Sequence, residues 1–440
     1  MPTSLKVLSA YLMAISLSGA AAASEPPPLI APAVTPVMAC SAPVSPLTVT
    51  AAVAQALCAN PLLKAYAQDV KASAADVSKA QAAYLPTVSA NFLSSHASAT
   101  GSNSTHAVAL NWLMLDFGGR SNTLAAAKAL GSAADNALKE QAQALAADVA
   151  QAYFRVQAAD ASIAAADAQV KVATRALDVA SARYKVGDAI KLDVLQAQSS
   201  LEQSRLTLSQ AKSEAGTAKA YLAMLVAAPA EKAQLLQVTP VDTAATTSPP
   251  QELTELVEQA KAQRRDLAAT RDRVAALNAQ ASAARAAHLP TVSLVGNVQW
   301  ADQAIGGARR SDSIGVQVSI PIFAGGATQA QVRSLTAQSD ALRERLQAAE
   351  NQAGYEVVSS YLTLQSAVDQ LQAATSLESS ASEAQAQALA RYEAGVGTML
   401  EAFDSMAKRA AASQSAISAR LSLQSARVQL ARHLGQMPTL

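Results

Sequence analysis

The sequence predicts a mainly α-helical protein with a smaller β part, built as a tandem duplication. Three observations lead to this prediction. The same motifs return in the same order about two hundred residues later, stretches of some 64 residues contain no proline, and two pairs of segments alternate apolar with polar residues. Each half therefore combines a strand pair with a helical hairpin much longer than the helices of compact domains.

The composition favours long helices packed closely side by side. Half of the residues are hydrophobic, but only 4% are aromatic. Alanine supplies much of the apolar content, and it is both the strongest helix former and a small side chain. The net charge is +1 with both signs spread along the chain, so nothing indicates a nucleic-acid partner.

The N-terminus is typical of an exported protein. Lys6 precedes an apolar region over 7–20, and three small residues, 21–23, precede Ser24. A membrane-spanning anchor would need about 20 apolar residues, which is more than this region has. We predict a signal peptide over 1–23, followed by a Pro-rich N-terminal linker over 24–47.

The duplication is visible in four landmarks whose offset drifts only from 204 to 208 residues. They are Ala83–Ser89 with Ala287–Ser293, Phe117 with Phe323, Arg183–Gly187 with Arg391–Gly395, and Leu222–Ala223 with Leu430–Ala431. We assign the first repeat to 48–251 and the second to 252–440.

A period of two marks one strand pair in each repeat, over 87–117 and 291–323, with polar loops at 97–105 and 302–311. In the second pair, Val292, Leu294 and Val298 share one face, and Thr291, Ser293 and Asn297 share the other. This alternation fits a half-buried sheet in a soluble protein, and it fits barrel strands of about 10 residues that are apolar towards lipid. The strands alone leave both interpretations open.

The helices favour the barrel. Stretches 121–184 and 329–392 are each roughly 64 residues, or about 96 Å of helix, and they end at turns containing Gly187 and Gly395. A shorter helix returns from each turn, with coiled-coil heptads most regular over 194–225. After the first return we expect an equatorial segment, 228–251, and then a helix over 252–286. A helical segment over 48–84 plays the corresponding part for the second repeat.

The two cysteines, Cys40 and Cys58, fall in the exported part of the chain. In an oxidising compartment an even number favours a disulfide. The alternative is a lipoprotein site at Cys40, because Val37–Cys40 has roughly that form. A Pro-rich stretch separates Cys40 from the hydrophobic region, and we therefore favour the disulfide.

The sequence offers no residues for an enzyme. The histidines lack metal-ligand or triad spacing, and the glycine pairs near Phe117 and Phe323 do not belong to a phosphate-binding loop. We predict no catalytic residue, no metal site and no cofactor. The four histidines are His96, His106, His288 and His433.

Almost the whole mature chain resembles the TolC-like outer-membrane factor family. The resemblance rests on the Leu-Pro-Thr-Val-Ser strand starts, Asp116–Gly119 and Phe323–Gly326 at the strand-to-helix junctions, the two Arg-Tyr-x-x-Gly turns, and Leu47–Val53 running into Leu57–Pro61. It implies a homotrimer with a 12-stranded outer-membrane β-barrel, continued by a long α-helical coiled-coil barrel in the periplasm of a Gram-negative bacterium.

The resemblance also implies the function. The chain would be the passive exit duct of a tripartite efflux pump or a type I secretion system, in contact with outer-membrane lipid. A periplasmic adaptor and an inner-membrane ABC or RND pump would be its partners. The alternative is a periplasmic coiled-coil adaptor or scaffold that never enters a membrane. The cargo, whether protein, drug or metal ion, is not indicated.

The family pattern further implies site residues at the periplasmic end. Glu401 and Asp404 fall where the family places acidic rings in the pore constriction, although a capping role at the helix N-terminus is the alternative. Asp193 matches the carboxylate that meets the turn tyrosine of the other repeat, here Tyr392. A basic residue often follows the second turn glycine by two positions, whereas this chain has Gly397.

The turns themselves are the predicted contacts for the adaptor. Gly187-Asp188 and Gly395-Val396 are the parts of the helical tube that would face the inner membrane. We expect both glycines to adopt positive φ angles, which β-branched residues tolerate poorly.

Overall fold

The computed structural model describes residues 46–97, 101–241, 252–303 and 307–437. The predicted signal peptide, nearly all of the Pro-rich linker, and the end of the equatorial segment from 242 lie outside these residues. In the part of the chain that is described, no helix combines the length and the apolar character needed to cross a membrane.

The β part is one antiparallel sheet in which both repeats take part. Strand order is β1-β2-β3-β4, and pairing of β2 with β3 joins the two repeats. The strands reach further towards the hairpin tips than predicted, because backbone pairing continues after the apolar alternation ends. The strands are β1 Thr87–Ala97, β2 Gly101–Leu115, β3 Thr291–Gln303 and β4 Gly307–Ser319.

One face of this sheet is apolar, and none of the other described residues covers it. Val88 pairs with Leu110, and Gly296 pairs with Ile314, so apolar residues from all four strands lie in register. Val88, Ile314 and Val316 are exposed. A soluble domain would bury such a face, whereas a barrel strand directs it towards lipid. The exposed apolar face therefore favours barrel strands over the half-buried sheet of a soluble protein.

The described residues form eight α-helices. The two longest have 67 residues each, about 100 Å, and the return helices have 35. A short 3₁₀ helix, Ala230–Leu235, follows the first return helix. The helices are α1 Val49–Ala59, α2 Pro61–Ala82, α3 Gly119–Lys185, α4 Lys191–Leu225, α5 Leu253–Gln263, α6 Arg265–Ala286, α7 Ala327–Glu393 and α8 Met399–His433.

The helical segment predicted over 48–84 and the helix predicted over 252–286 are each broken in two. Asn60 is extended (ψ 123°) because Pro61 disfavours helical geometry before it, and its side chain caps α2. Arg264, at the equivalent position, is also extended (ψ 125°). Its guanidinium forms ion pairs with Asp266 and Glu356, which compensate for the interrupted helix. The stacked pairs α1–α2 and α5–α6 have matching lengths.

The helices pack through small side chains, as the composition predicts. Helix α3 contacts α4, α6 and α8, while α7 contacts α8 and α6. Alanines such as Ala176, Ala197 and Ala402 are fully buried between them. Midway along α3, Tyr153 donates its hydroxyl proton to the Leu47 or the Thr239 carbonyl (2.9 and 2.5 Å). This contact fixes the start of the first repeat to the segment after α4.

Candidate functional site: the turn end of the two hairpins

The two turns that end α3 and α7 have the same backbone structure. Gly187 has φ +84° and Gly395 has φ +77°. The Asp188 N–H donates to the Arg183 carbonyl at 2.9 Å, and the equivalent N–H of the second turn reaches Arg391 at 3.0 Å. This is the Schellman arrangement, in which glycine is favoured after the helix. The expected positive φ angles are thus present at both turns.

Apolar side chains project into solvent around both turns. Val186 is 74% exposed and Val396 is 70% exposed. Ile190, Leu192 and Leu400 are also exposed nearby. The turn end of the two hairpins therefore presents several large apolar side chains to solvent.

Beneath the turns lies a core made from four helices and both repeats. Its central large residue is Tyr392, which is buried against alanines of α3 and the methionines of α8. Burial raises the pKa of Tyr392, and the nearby carboxylate of Asp193 raises it further. Within the described residues the Tyr392 hydroxyl has no hydrogen-bond partner. The carboxylate of Asp193 therefore affects the pKa of Tyr392 by electrostatic repulsion. The two side chains do not form a hydrogen bond with each other.

Arg183 makes the contacts to Tyr392 that the sequence did not predict. Its guanidinium lies 4.8 Å from the centre of the Tyr392 ring and donates to the Tyr392 carbonyl at 2.9 Å. It also donates to the Asp188 carbonyl at 3.3 Å. One side chain of the first repeat thus holds both turns together.

A second contact between the repeats lies close by. Arg175 on α3 donates two parallel hydrogen bonds to the carboxylate of Glu393 at the end of α7, at 2.6 and 2.9 Å. This bidentate geometry is the strongest form of the arginine–carboxylate pair. We call Arg175, Arg183, Tyr392 and Glu393 the entrance cluster.

The two predicted pore carboxylates both have local partners. The Glu401 N–H donates to Thr398 Oγ1 (3.2 Å), and the Thr398 N–H donates to the Glu401 carboxylate (3.4 Å), which is a capping box. Asp404 pairs with Lys408 at 2.6 Å. Both carboxylates are exposed on the protomer, so the capping box and the ion pair leave them accessible.

Gly397 lies where its chain neighbours leave little room. A Cβ atom added there would lie 3.0 Å from the Arg391 Cβ and 3.2 Å from the Tyr392 nitrogen. These contacts are tight, so a larger residue requires its neighbours to move by a few tenths of an ångström. The basic residue common in the family would therefore be more crowded here than glycine.

The seam of the second hairpin carries an ion pair where the first is apolar. Val170 and Leu201 pack together in the first hairpin, and the 208-residue offset places Glu378 and Arg409 at the equivalent positions. These side chains lie 3.6 Å apart, and Ser413 donates to the same carboxylate at 3.2 Å. Arg409 interrupts the heptad pattern of α8, and the sequence of that helix alone does not identify its partner.

The cysteine prediction is only partly within the described residues. Cys58 lies on α1 and is not a free thiol. Cys40 lies outside the described residues, so the pairing of Cys40 with Cys58 stays a prediction.

Comparisons with known proteins agree with this geometry. A family model described as outer membrane efflux protein matches residues 52–228 and 256–436. Protein CyaE of Bordetella pertussis (strain Tohama I) is 28% identical over 366 residues, covering 81% of this chain and 77% of that protein. Outer membrane efflux protein BepC of Brucella suis biovar 1 is 26% identical over 328 residues, covering 73% and 70%. The Campylobacter jejuni CmeC outer membrane channel has the same fold, with a TM-score of 0.78 at 19% identity, covering 88% of this chain and 85% of that chain.

Proposed function

The chain belongs to the outer membrane efflux protein family, and from that premise we propose that its turn end is the gated entrance of an export duct. The protein is an outer-membrane exit duct with a periplasmic tunnel. The observation that carries this conclusion is the uncovered apolar sheet joined directly to helices of about 100 Å. An adaptor or scaffold that stays in the periplasm has no use for such a sheet face.

The family implies a trimeric channel that works with an adaptor and an inner-membrane pump. We infer that four strands from each copy close a 12-stranded barrel. Strands β1 and β4 are the edges of the sheet, and edge N–H and C=O groups cannot remain unpaired in lipid. Pairing β4 of one copy with β1 of the next satisfies them. The barrel then presents the apolar face to outer-membrane lipid.

We infer that the entrance cluster holds the duct closed. In the family a basic residue after the second turn is often part of the closed entrance, and this chain has Gly397 there. Arg175 and Arg183 of the first repeat reach the end of α7 instead. Their combined contacts tie the second hairpin to the first, so breaking them frees the second hairpin to move.

The seam of the second hairpin is also the more polar of the two. A partly buried ion pair loses hydration on packing, and it is often no more stabilising than an apolar pair of similar size. Replacing the Val170–Leu201 contact by Glu378–Arg409 therefore lowers the cost of separating α7 from α8. We infer that the opening movement takes place in this hairpin.

The turns are the proposed docking sites of the adaptor, since their exposed apolar residues need a protein partner. Changing both Gly187 and Gly395 to valine should abolish export while trimers still assemble. A β-branched residue is strained at φ near +80°, so both turns must rearrange. Complementation of a deletion strain measures export, both as drug susceptibility and as the profile of secreted proteins.

The matched control is Gly131→Val. Its position lies inside α3, where an added Cβ meets only a side-chain methyl of Val77 at 3.8 Å. This variant should export normally. Normal export by the double turn variant would show that docking does not depend on the turns.

The pump class is tested by the same strain. Cross-linking at Val186→Cys or Val396→Cys, followed by mass spectrometry, identifies the adaptor and the transporter that copurify. An ABC transporter indicates secretion of a protein or peptide, and an RND pump indicates efflux of small molecules or metal ions.

A further inference from the structure

At the junction between the sheet and α3, backbone groups form hydrogen bonds with side chains of the same chain. The Asp116 carboxylate accepts a hydrogen bond from the backbone N–H of Arg120 at 2.6 Å. The Arg120 guanidinium donates to the carbonyls of Leu113 (2.6 Å) and Met114 (3.0 Å). It also lies 4.7 Å from the centre of the Tyr84 ring. The carbonyl groups at the end of β2 therefore have partners from the same repeat.

The junction between the sheet and α7 lacks these residues. Aligning Gly325-Gly326 with Gly118-Gly119 places Ala327 opposite Arg120, and aligning the two phenylalanines places Ile322 opposite Asp116. Ile322 is 95% exposed and Phe323 is 88% exposed. Two large apolar side chains thus stand where the first repeat has an acid and a half-exposed phenylalanine.

Lipid does not suit this segment. Residues 320–324 follow the end of β4 without regular secondary structure. Irregular backbone within the hydrocarbon region is tolerated only where protein buries it or where it lines a water-filled cavity, and side chains as apolar as Ile322 and Phe323 favour protein over water. The segment therefore requires a protein partner that can cover the apolar side chains and the backbone together.

The position of the segment identifies that partner as a second copy of this chain. Strand β4 ends at the same end of the sheet at which β1 begins, since the strands alternate in direction. In the closed barrel of the proposed function, β1 of the next copy lies beside β4. The turn that leads into this β1 exposes Leu85 by 65%, and it would stand next to Ile322 and Phe323.

We propose that Ile322 and Phe323 of each copy pack against the Tyr84–Leu85 turn of the adjacent copy. The first junction is closed by Arg120 from inside the chain, and the second is closed by the neighbouring copy. This contact is an apolar anchor between copies at the level where the barrel meets the helical tube. The proposal rests on the trimeric barrel proposed above.

Cysteine cross-linking tests the contact. The double variant Leu85→Cys/Phe323→Cys, oxidised in intact outer membranes, should give covalent trimers on denaturing gels, and reduction should return them to monomers. The matched control is Leu85→Cys/Phe117→Cys, which places the second thiol at the first junction and should give few cross-links between copies. The native chain measures the background from Cys40 and Cys58.

A stability measurement gives a second, independent test. Ile322→Ser/Phe323→Ser should lower the temperature at which detergent-solubilised trimers dissociate, whereas Phe117→Ser should lower it much less. Trimers that show no 85–323 cross-link, or that are equally sensitive at both junctions, would overturn the anchor and leave the duct function intact. A native chain that forms no trimer at all would instead refute the proposed function.

Discussion

Arg183→Ala combined with Glu393→Gln should convert a mostly closed channel into one that is open most of the time. The change removes the contacts of Arg183 to the Tyr392 carbonyl and ring, and the bidentate pair of Arg175 with Glu393. The exposed Arg175–Glu393 pair contributes little because water and salt screen it, while a charged donor on a backbone carbonyl contributes about 1.5–3 kcal/mol. A loss of about 2 kcal/mol in each copy shifts its closed-to-open equilibrium roughly 30-fold.

Recordings of single channels in planar bilayers measure this effect as open probability and mean conductance. The matched control is Lys171→Ala, one turn from Arg175 on α3. It removes an exposed ion pair with Asp167 inside the same helix and should leave gating unchanged. If the double variant gates like the native channel, the entrance cluster does not hold the duct closed.

Glu401→Ala with Asp404→Ala should remove most of the channel's preference for cations. In a trimer these residues bring six carboxylates near one axis, where they concentrate cations and repel anions. Divalent and trivalent cations should block the native channel from the periplasmic side, and the double variant should resist this block strongly.

Lys408 provides an informative companion variant. It pairs with Asp404 at 2.6 Å and so offsets part of the acidic charge. Lys408→Ala should therefore strengthen the block by divalent cations, while Glu202→Ala on α4 should have no effect on it. A double alanine variant that keeps native selectivity and block would return Glu401 to a purely capping role.

The long helices and the strand pairs could be predicted because their signals are local and repeated. The absence of proline over 121–184 predicts one long helix, and the alternation of apolar and polar residues after Pro290 predicts strands. Each of these signals lies within a single element. The breaks at Asn60 and Arg264 are not among the predictions, for different reasons. Pro61 is a local signal for the first break, whereas Arg264 leaves helical geometry alongside partners that include Glu356, 92 residues away.

The turn geometry was predictable for the same local reason, since a glycine after a long helix indicates a left-handed cap. The entrance cluster was not, because it joins residues more than 200 positions apart. A signal for it was nevertheless present. The 208-residue offset places Glu383 opposite Arg175 and Lys185 opposite Glu393, so both members of the ion pair reverse charge between the repeats.

The Glu378–Arg409 pair follows the same rule. Alone, Arg409 is an irregular residue in a heptad pattern. The first repeat has Leu201 at the position equivalent to Arg409 and Val170 at the position equivalent to Glu378. Two apolar residues of one repeat are therefore replaced by two oppositely charged residues in the other. Comparing the two repeats position by position thus identifies coupled changes that a search within each helix does not.

The central claim is that this chain forms a trimeric duct through the outer membrane. Its most direct test is to fractionate the envelope, extract the chain with detergent, determine the mass of the assembly, and reconstitute it in planar bilayers. We predict a chain that sediments with the outer membrane, resists release by osmotic shock, runs as a trimer and produces discrete ion conductance. Release by osmotic shock as a soluble chain without conductance would contradict the duct and favour a periplasmic scaffold.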